Sequence, residues 1–236
     1  MRDALAFLTV LPAGSRVHEP RKAALLMFPF AGAVVGLAWA AAAWAGLESW
    51  GVLPAAAAVL AVDLLITGGL HLDAIADVAD GFASRRTGDE AVRVMRDPAV
   101  GAVGAAGLIA VMLLRFSLLA ALVSPAGLLP LVTVPVAGRV AMLWMLMRAT
   151  PRGPSLASSL SQAAGVPVCL AAATLALALA WSVAGLPGVG AVMMALGVSE
   201  AWIGLFRRRV GFLTGDAVGS AGMMAELATL GLLAAV

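Results

Sequence analysis

From Val166 to Phe206 the chain reads "VPVCLAAATLALALAWSVAGLPGVGAVMMALGVSEAWIGLF", in which Glu200 is the single charged residue. An apolar run of about 18 residues or more is long enough to cross a lipid bilayer as a helix. This stretch is long enough for two such helices, with a turn near Gly185. It therefore predicts that the chain is built from membrane-spanning helices.

The composition of the whole chain agrees with this prediction. Hydrophobic residues make up 62% of the 236 residues and charged residues only 12%, whereas soluble domains carry about 25% charged residues. We expect an all-α, polytopic helical bundle that forms a single membrane-embedded domain, residues 1–236. Its first partner is then the lipid bilayer, and nothing in the sequence predicts a nucleic-acid partner.

Seven spans are predicted, preceded by a short interfacial helix within residues 1–11. The spans are Ala24–Gly46, Val52–Leu72, Val100–Val123, Gly127–Met147, Val166–Ala184, Pro187–Phe206 and Ala217–Val236. If these spans alternate in direction, all Lys and Arg residues except Arg115 and Arg139 fall on one side. The positive-inside rule places that side, and with it the N-terminus, in the cytoplasm.

The stretch "GGLHLDAIADVADGF", residues 68–82, concentrates polar groups in an apolar chain. Asp73, Asp77 and Asp80 are spaced i, i+4, i+7, which places three carboxylates on one face of a helix. Oxygen ligands suit Mg²⁺ or Mn²⁺, and Mg²⁺ commonly bridges carboxylates and phosphates. The spacing thus indicates a metal that holds a phosphate, against the alternative of a solvated acidic face. His71 lies on another side of the helix, which favours substrate contact.

Two further polar clusters flank later spans. In "RVMRDPAVGAVG", residues 93–104, Arg96 is a candidate for bidentate phosphate binding and Asp97 is a candidate metal ligand. In "GFLTGDAVG", residues 211–219, Asp216 is either a metal ligand or the N-cap of the next helix.

Five ionisable residues fall inside predicted spans, where charge is costly unless it is paired or faces a polar cavity. They are Asp63, Arg115, Arg139, Glu200 and Glu226. We expect Asp63 to pair with Arg115 or with Arg139. For these arginines a structural role and substrate binding both remain open.

Four segments, in this order and at this spacing, resemble the cobalamin synthase family: "FLTVLP", "GGLHLDAIADVADGF", "VMRDPAVGAVG" and "FLTGDAVGSAGMMAEL". The resemblance covers nearly the whole chain. It implies a Mg²⁺-dependent enzyme of the bacterial inner membrane that acts late in vitamin B12 assembly. Such an enzyme joins adenosylcobinamide-GDP to α-ribazole or its 5′-phosphate and releases GMP. Whether the chain forms a homo-oligomer is left open.

The residues and the resemblance together give the expected site. The catalytic residues are His71, Asp73, Asp77 and Asp80, the metal ligands are Asp73, Asp77, Asp80, Asp97 and Asp216, and the substrate-binding residues are Arg85, Arg96, Arg139, Arg152 and Thr214. The general base is one of the aspartates or His71. The chain departs from the family pattern at Ala74, Pro98, Ala99 and Met223.

The sequence is compatible in part with two other functions. A CDP-alcohol phosphotransferase motif is nearly met between Asp77 and Arg85, but Val94 and Pro98 stand where that motif needs Gly and Asp. A cation transporter would more naturally place its acids near the bilayer midplane. Most acids here lie at the predicted cytoplasmic edge, which favours an enzyme.

Overall fold

The structure is a computed structural model that describes residues 2–10, 22–148, 150, 152–153 and 156–236. Every helix or strand assigned within those residues is a helix, so the predicted all-α class is confirmed. The helices are α1 (Arg2–Leu8), α2 (Lys22–Leu26), α3 (Phe28–Trp50), α4 (Val52–Thr67), α5 (Leu70–Ala83), α6 (Gly88–Met95), α7 (Ala102–Leu122), α8 (Thr133–Arg148, preceded by a 3₁₀ turn at Pro130–Val132), α9 (Leu156–Ala163), α10 (Val166–Arg209) and α11 (Gly215–Ala234).

Most of the long helices are able to cross a membrane. Within the described residues, α3, α7, α8 with its 3₁₀ turn, α10 and α11 are long and apolar enough to do so. Helices α4 and α5 pass the same test as a pair, joined at a bend of 91°. The polytopic membrane bundle is therefore confirmed, while the number of spans and the side of the N-terminus stay predictions.

Helix α10 reverses its direction at Gly185, where the sequence predicts a turn. The backbone there is non-helical, with φ of 59°, a conformation that glycine adopts at little cost. A Cβ atom at Gly188 would lie 2.8 Å from the carbonyl carbon of Ala180. The halves 166–184 and 186–209 therefore run back along each other, in contact through small residues that allow close approach.

A sharp bend separates α4 from α5. Gly68 and Gly69 both have positive φ, 63° and 72°, in the left-handed region that other residues rarely occupy. These two glycines end α4 at Thr67, ahead of the predicted end of the second span at Leu72. The polar stretch that follows forms a separate helix, α5, set at a steep angle to the span before it.

Helix α8 occupies the middle of the bundle, packed against α3, α10 and α11. Nearly all of its side chains from Thr133 to Leu146 are buried. The approach of α3 is close, since a Cβ atom at Gly32 or Gly36 would come within 2.6 Å of α8 or the 3₁₀ turn before it. Small residues in this way bring the backbones of neighbouring membrane helices together.

An ion network joins four helices inside the bundle. Arg115 of α7 donates to Asp63 of α4 at 3.0 Å and to Glu226 of α11 at 3.2 Å. Arg139 of α8 donates to the second oxygen of Glu226. Each of these side chains is at most 4% exposed. The expected pairing of Asp63 with Arg115 is confirmed, and the two positive charges are balanced by two negative ones.

The basic segments gather at one end of the bundle. Arg207, at the end of α10, donates to the carbonyl oxygen of Arg148 at 2.7 Å. Arg152 lies 3.3 Å from Asp89, near the start of α6. These contacts tie together the segments that follow α5, α8 and α10. The predicted N-terminal basic residues within 11–21 lie outside the described residues.

Candidate active site

Helix α5 carries its three aspartates on one face, as the sequence predicts. It packs against α7 and α11, and its opposite face buries apolar side chains such as Ile75 and Val78. Asp73 is exposed, whereas Asp77 and Asp80 are half-buried. The amphipathic pattern thus directs the carboxylates away from the apolar core.

Asp80 is bound to the beginning of α7. Its two carboxylate oxygens accept hydrogen bonds from the backbone amides of Gly101 and Gly104, each at 2.7 Å. The first amides of a helix have no partner within that helix. A Cβ atom at Gly104 would lie 2.8 Å from the Asp80 carboxyl carbon, so glycine is what permits this approach. Asp80 therefore fastens α7 to α5.

Asp216 lies in the first turn of α11 and does not cap it. The cap is Thr214, whose Oγ1 accepts a hydrogen bond from the amide of Ala217 at 3.1 Å. The alternative that Asp216 is the N-cap is therefore wrong. The carboxylate of Asp216 is therefore available to bind other groups, while the hydroxyl of Thr214 caps the helix.

Three carboxylates form an acidic cluster, which we define as Asp73, Asp77 and Asp216. Asp77 experiences the negative charges of Asp73, Asp216 and Asp80. Asp216 experiences the charge of Asp73 and the opposite charge of Arg96. Residues far apart in the sequence are thus brought together between the N-terminal part of α11 and α5. The cluster holds more negative charge than the nearby arginine balances.

Arg96, whose charge acts on Asp216, also lines a pocket that we call the arginine pocket. Its volume is about 360 Å³, and Arg93, Arg96 and Arg152 line it together with Asp89 and Phe212. The guanidinium carbon of Arg152 is 4.9 Å from the centre of the Phe212 ring. A planar cation over an aromatic ring, next to two more guanidiniums, suits a phosphate or a nucleotide.

His71 lines a cavity that reaches the acidic cluster. We call it the inner cavity; it has a volume of about 420 Å³ and lies between α1, α5, α8, α9 and α11. Asp73 and Asp216 line it as well. His71 is only 3% exposed, and its Nε2 atom has no hydrogen-bond partner among the described residues. A polar atom in such a place is costly unless a ligand satisfies it.

A wider space, the outer groove, borders the same aspartate from the other side. Its volume is about 700 Å³, and it runs between α1, the Gly68–Gly69 bend and α7. Asp73, Phe7 and Leu70 line both the groove and the inner cavity. The carboxylate of Asp73 therefore stands between the two spaces.

Other predicted site residues lie elsewhere or are already engaged. Asp97 is exposed and accepts a hydrogen bond from the amide of Ala99 at 3.0 Å. Arg85 is exposed just after α5, with φ of 58°. Arg139 is fully buried and paired with Glu226, so its charge belongs to the ion network.

The metal expectation stays a prediction. Across the part of the chain that the structure describes, no three His, Cys, Asp or Glu side chains are placed to hold one ion between them. Mg²⁺, however, usually takes one or two carboxylates and completes its coordination with water and phosphate. The crowded, under-neutralised acidic cluster fits that mode of binding.

Sequence reasoning missed several contributors to the site. Neither Phe212 nor Phe7 is predicted as a site residue. The ring centre of Phe7 is 6.0 Å from that of Phe28, and its helix, α1, forms one wall of the inner cavity. The sequence does contain a signal for Gly101 and Gly104. Both follow Pro98, which indicates the start of a helix, and the N-terminus of a helix can bind an anion. No local pattern identifies Asp80 as that anion.

Comparison with known proteins places the chain in a family. The profile of the cobalamin-5-phosphate synthase family matches residues 1–234. Relatives named adenosylcobinamide-GDP ribazoletransferase include those of Chlorobium chlorochromatii, 33% identical over 95% of this chain and 91% of the relative, and Pseudomonas savastanoi, 36% identical over 96% and 95%. The Rhizobium etli relative of that name is 35% identical over 98% and 94%. No solved structure shows a significant match. With its whole length covered in this way, the chain belongs to the cobalamin-5-phosphate synthase family.

Proposed function

We propose that this chain transfers the cobinamide phosphate of adenosylcobinamide-GDP to α-ribazole or its 5′-phosphate and releases GMP. The family and the names of relatives that match nearly the whole chain support this activity. The structural observation that carries it is the acidic cluster, which has Arg96 beside it and a cavity on either side of Asp73. That arrangement suits a reaction between two substrates at one phosphate.

The reaction exchanges one phosphorus–oxygen bond for another. A ribose hydroxyl of α-ribazole attacks the phosphorus that carries the cobinamide, and the bond from that phosphorus to the GMP oxygen breaks. The hydroxyl proton passes to the carboxylate of Asp73 or Asp216 or to His71, since these residues line the inner cavity. Phosphoryl transfer of this kind needs mainly well-positioned reactants and neutralised charge.

A magnesium or manganese ion is part of the proposal. One or two carboxylates of the acidic cluster, Asp73, Asp77 and Asp216, would hold it, because their oxygens are suitable donors and their charges repel one another. When bound, the ion supplies positive charge to the pyrophosphate of the donor. Asp80 acts as a positioning residue instead, because both of its oxygens already accept backbone amides.

The arginine pocket complements this charge. Arg96 and Arg152 bind phosphate oxygens of the donor and of the departing GMP, and Phe212 offers a flat apolar surface beneath Arg152. Both arginines are exposed, so they are accessible to a substrate that arrives from water. By the positive-inside rule, this end of the bundle faces the cytoplasm.

A cation transporter receives less support from the same structure. The intramembrane charges Asp63, Arg115, Arg139 and Glu226 are paired with one another inside the bundle. Balanced pairs of this kind stabilise a helical bundle, whereas a transport pathway needs charged groups that face a water-filled passage.

The test is product formation by the purified full-length chain in lipid vesicles with Mg²⁺, adenosylcobinamide-GDP and α-ribazole. Asp77→Asn should abolish turnover, because it removes a metal ligand without changing side-chain volume much. Glu48→Gln is the matched control, since Glu48 is exposed at the end of α3 and its loss should leave turnover unchanged. Absence of product from the wild-type chain, or full activity of Asp77→Asn, would refute the proposal.

A further inference from the structure

The inner cavity differs in chemistry from the rest of the site. Its walls are largely apolar, with Phe7, Met142, Leu146, Leu160 and Val218 among them. Its volume of about 420 Å³ lies within the range of about 300–1,000 Å³ that is typical of pockets for small organic ligands. Such walls suit a flat, apolar aromatic group rather than a phosphate or a guanine nucleotide.

His71 is a polar residue in the wall of this cavity. It is nearly inaccessible to solvent and leaves Nε2 without a partner among the described residues. An unsatisfied buried nitrogen costs free energy in the empty protein. Together with Asp73 and Asp216, His71 gives the otherwise apolar wall polar groups that a ligand hydroxyl can bind.

The outer groove suits a different occupant. It is larger, at about 700 Å³. Val100, just before α7, and Leu108 and Met112 of α7 line one side of it. A corrinoid that carries a nucleoside diphosphate is too large for the inner cavity. Of the two spaces that border Asp73, the groove is the larger, so it has more room for the part of the donor that lies next to the phosphate.

We propose that the inner cavity binds the aromatic base and ribose of the acceptor nucleoside, that the outer groove binds the corrinoid donor, and that the two meet at Asp73. This assignment rests on the proposed function. It brings the acceptor hydroxyl and the donor phosphate to the same carboxylate, next to Asp77 and Asp216. Each substrate then has its own space, and neither has to leave before the other binds.

The first experiment narrows the inner cavity. Ala157 is a small, buried residue of α9 on its wall, and Ala157→Phe adds a ring to that wall. We expect the Kd for α-ribazole, measured by equilibrium dialysis without donor, to rise about tenfold or more, the effect of one or two misfitting methylene groups in an apolar pocket. The KM for adenosylcobinamide-GDP should change less than about twofold, because the groove is untouched. Ala6→Phe, on α1, narrows the same cavity from another helix.

The matched control places the same ring in the outer groove. Val100 is 60% exposed there, and Val100→Phe should raise the KM for the donor while the Kd for α-ribazole stays at its wild-type value. The reverse pattern, or an unchanged Kd for α-ribazole in both Ala157→Phe and Ala6→Phe, would overturn the assignment. Wild-type protein that binds α-ribazole in this cavity but forms no product would refute the proposed function and leave the cavity assignment standing.

Discussion

Asp77 and Asp80 lie one turn apart on α5, yet they make different contacts in the structure. Asp80 accepts two backbone amides of α7, whereas Asp77 lies among other carboxylates. We predict that Asp80→Asn lowers stability and that Asp77→Asn does not. An asparagine at position 80 keeps one acceptor oxygen but turns an NH₂ group towards a second N–H donor.

The size of the effect follows from the bonds that are lost. A hydrogen bond to a charged group contributes about 1.5–3 kcal/mol, and a negative charge near a helix N-terminus contributes about 0.3–1 kcal/mol. We therefore expect Asp80→Asn to lower the free energy of unfolding by about 2 kcal/mol or more. For a chain of this length, 2 kcal/mol corresponds to a fall in Tm of about 4–8 °C.

The chain carries its own reporter for this measurement. Cys169 is the single cysteine and is only 2% exposed, so a thiol-reactive fluorophore reaches it when the bundle unfolds. Heating the detergent-solubilised protein with such a reagent gives Tm directly. Asp77→Asn should keep the wild-type Tm or raise it slightly, because it removes repulsion from the acidic cluster.

Gly104→Ala gives an independent check with an unusual sign. Replacing glycine by alanine within a helix normally stabilises it by about 1 kcal/mol. Here the new Cβ atom would displace the Asp80 carboxylate, and we expect Tm to fall. Wild-type Tm values for both Asp80→Asn and Gly104→Ala would refute the assignment of Asp80 as the residue that fastens α7.

The ion network, the proposed metal ligands and the basic end of the bundle each predict a measurable outcome. Glu226→Leu leaves two buried guanidiniums short of an acceptor and should destabilise the fold by about 3 kcal/mol or more. Adding Arg139→Leu should restore part of that stability in the same thiol assay, and a further fall in Tm would contradict the network. Asp216→Asn should raise the Mg²⁺ concentration for half-maximal turnover about tenfold or more, and an unchanged value would remove Asp216 from the ligand set. A cysteine that replaces Arg86 should react with an impermeant reagent only from the cytoplasmic side, and one that replaces Glu48 only from the other; labelling of both from one side would refute the topology.

The intramembrane charges show how far sequence reasoning reaches. Charge inside a bilayer must find a partner, so a pairing of Asp63 with an arginine was predictable. The structure selects Arg115 and adds a link that the sequence did not reveal, with Glu226 placed between Arg115 and Arg139. Which acid meets which arginine depends on the rotation of each helix about its axis, and an all-apolar helix surface gives no periodic signal for that rotation.

The acidic face of α5 shows the same limit. The spacing of Asp73, Asp77 and Asp80 was enough to place them on one face, since helical geometry alone decides it. It could not separate their roles, because the amides that bind Asp80 come from a helix more than twenty residues away. Likewise, Gly68 and Gly69 indicate that the chain can bend at that point, but they do not indicate the direction in which it turns.

Helix α11 follows all the other described helices in the chain, and it brings both Asp216 and Glu226. While the chain is being synthesised, Arg115 and Arg139 enter the bilayer before the acid that joins them has left the ribosome. Until then Arg139 is a charge in lipid without its counterion, a costly state that quality-control proteases and chaperones can detect. Docking of α11 removes that charge from lipid and completes the acidic cluster in one event. A chain in which α11 has docked therefore has both its ion network and its acidic cluster complete.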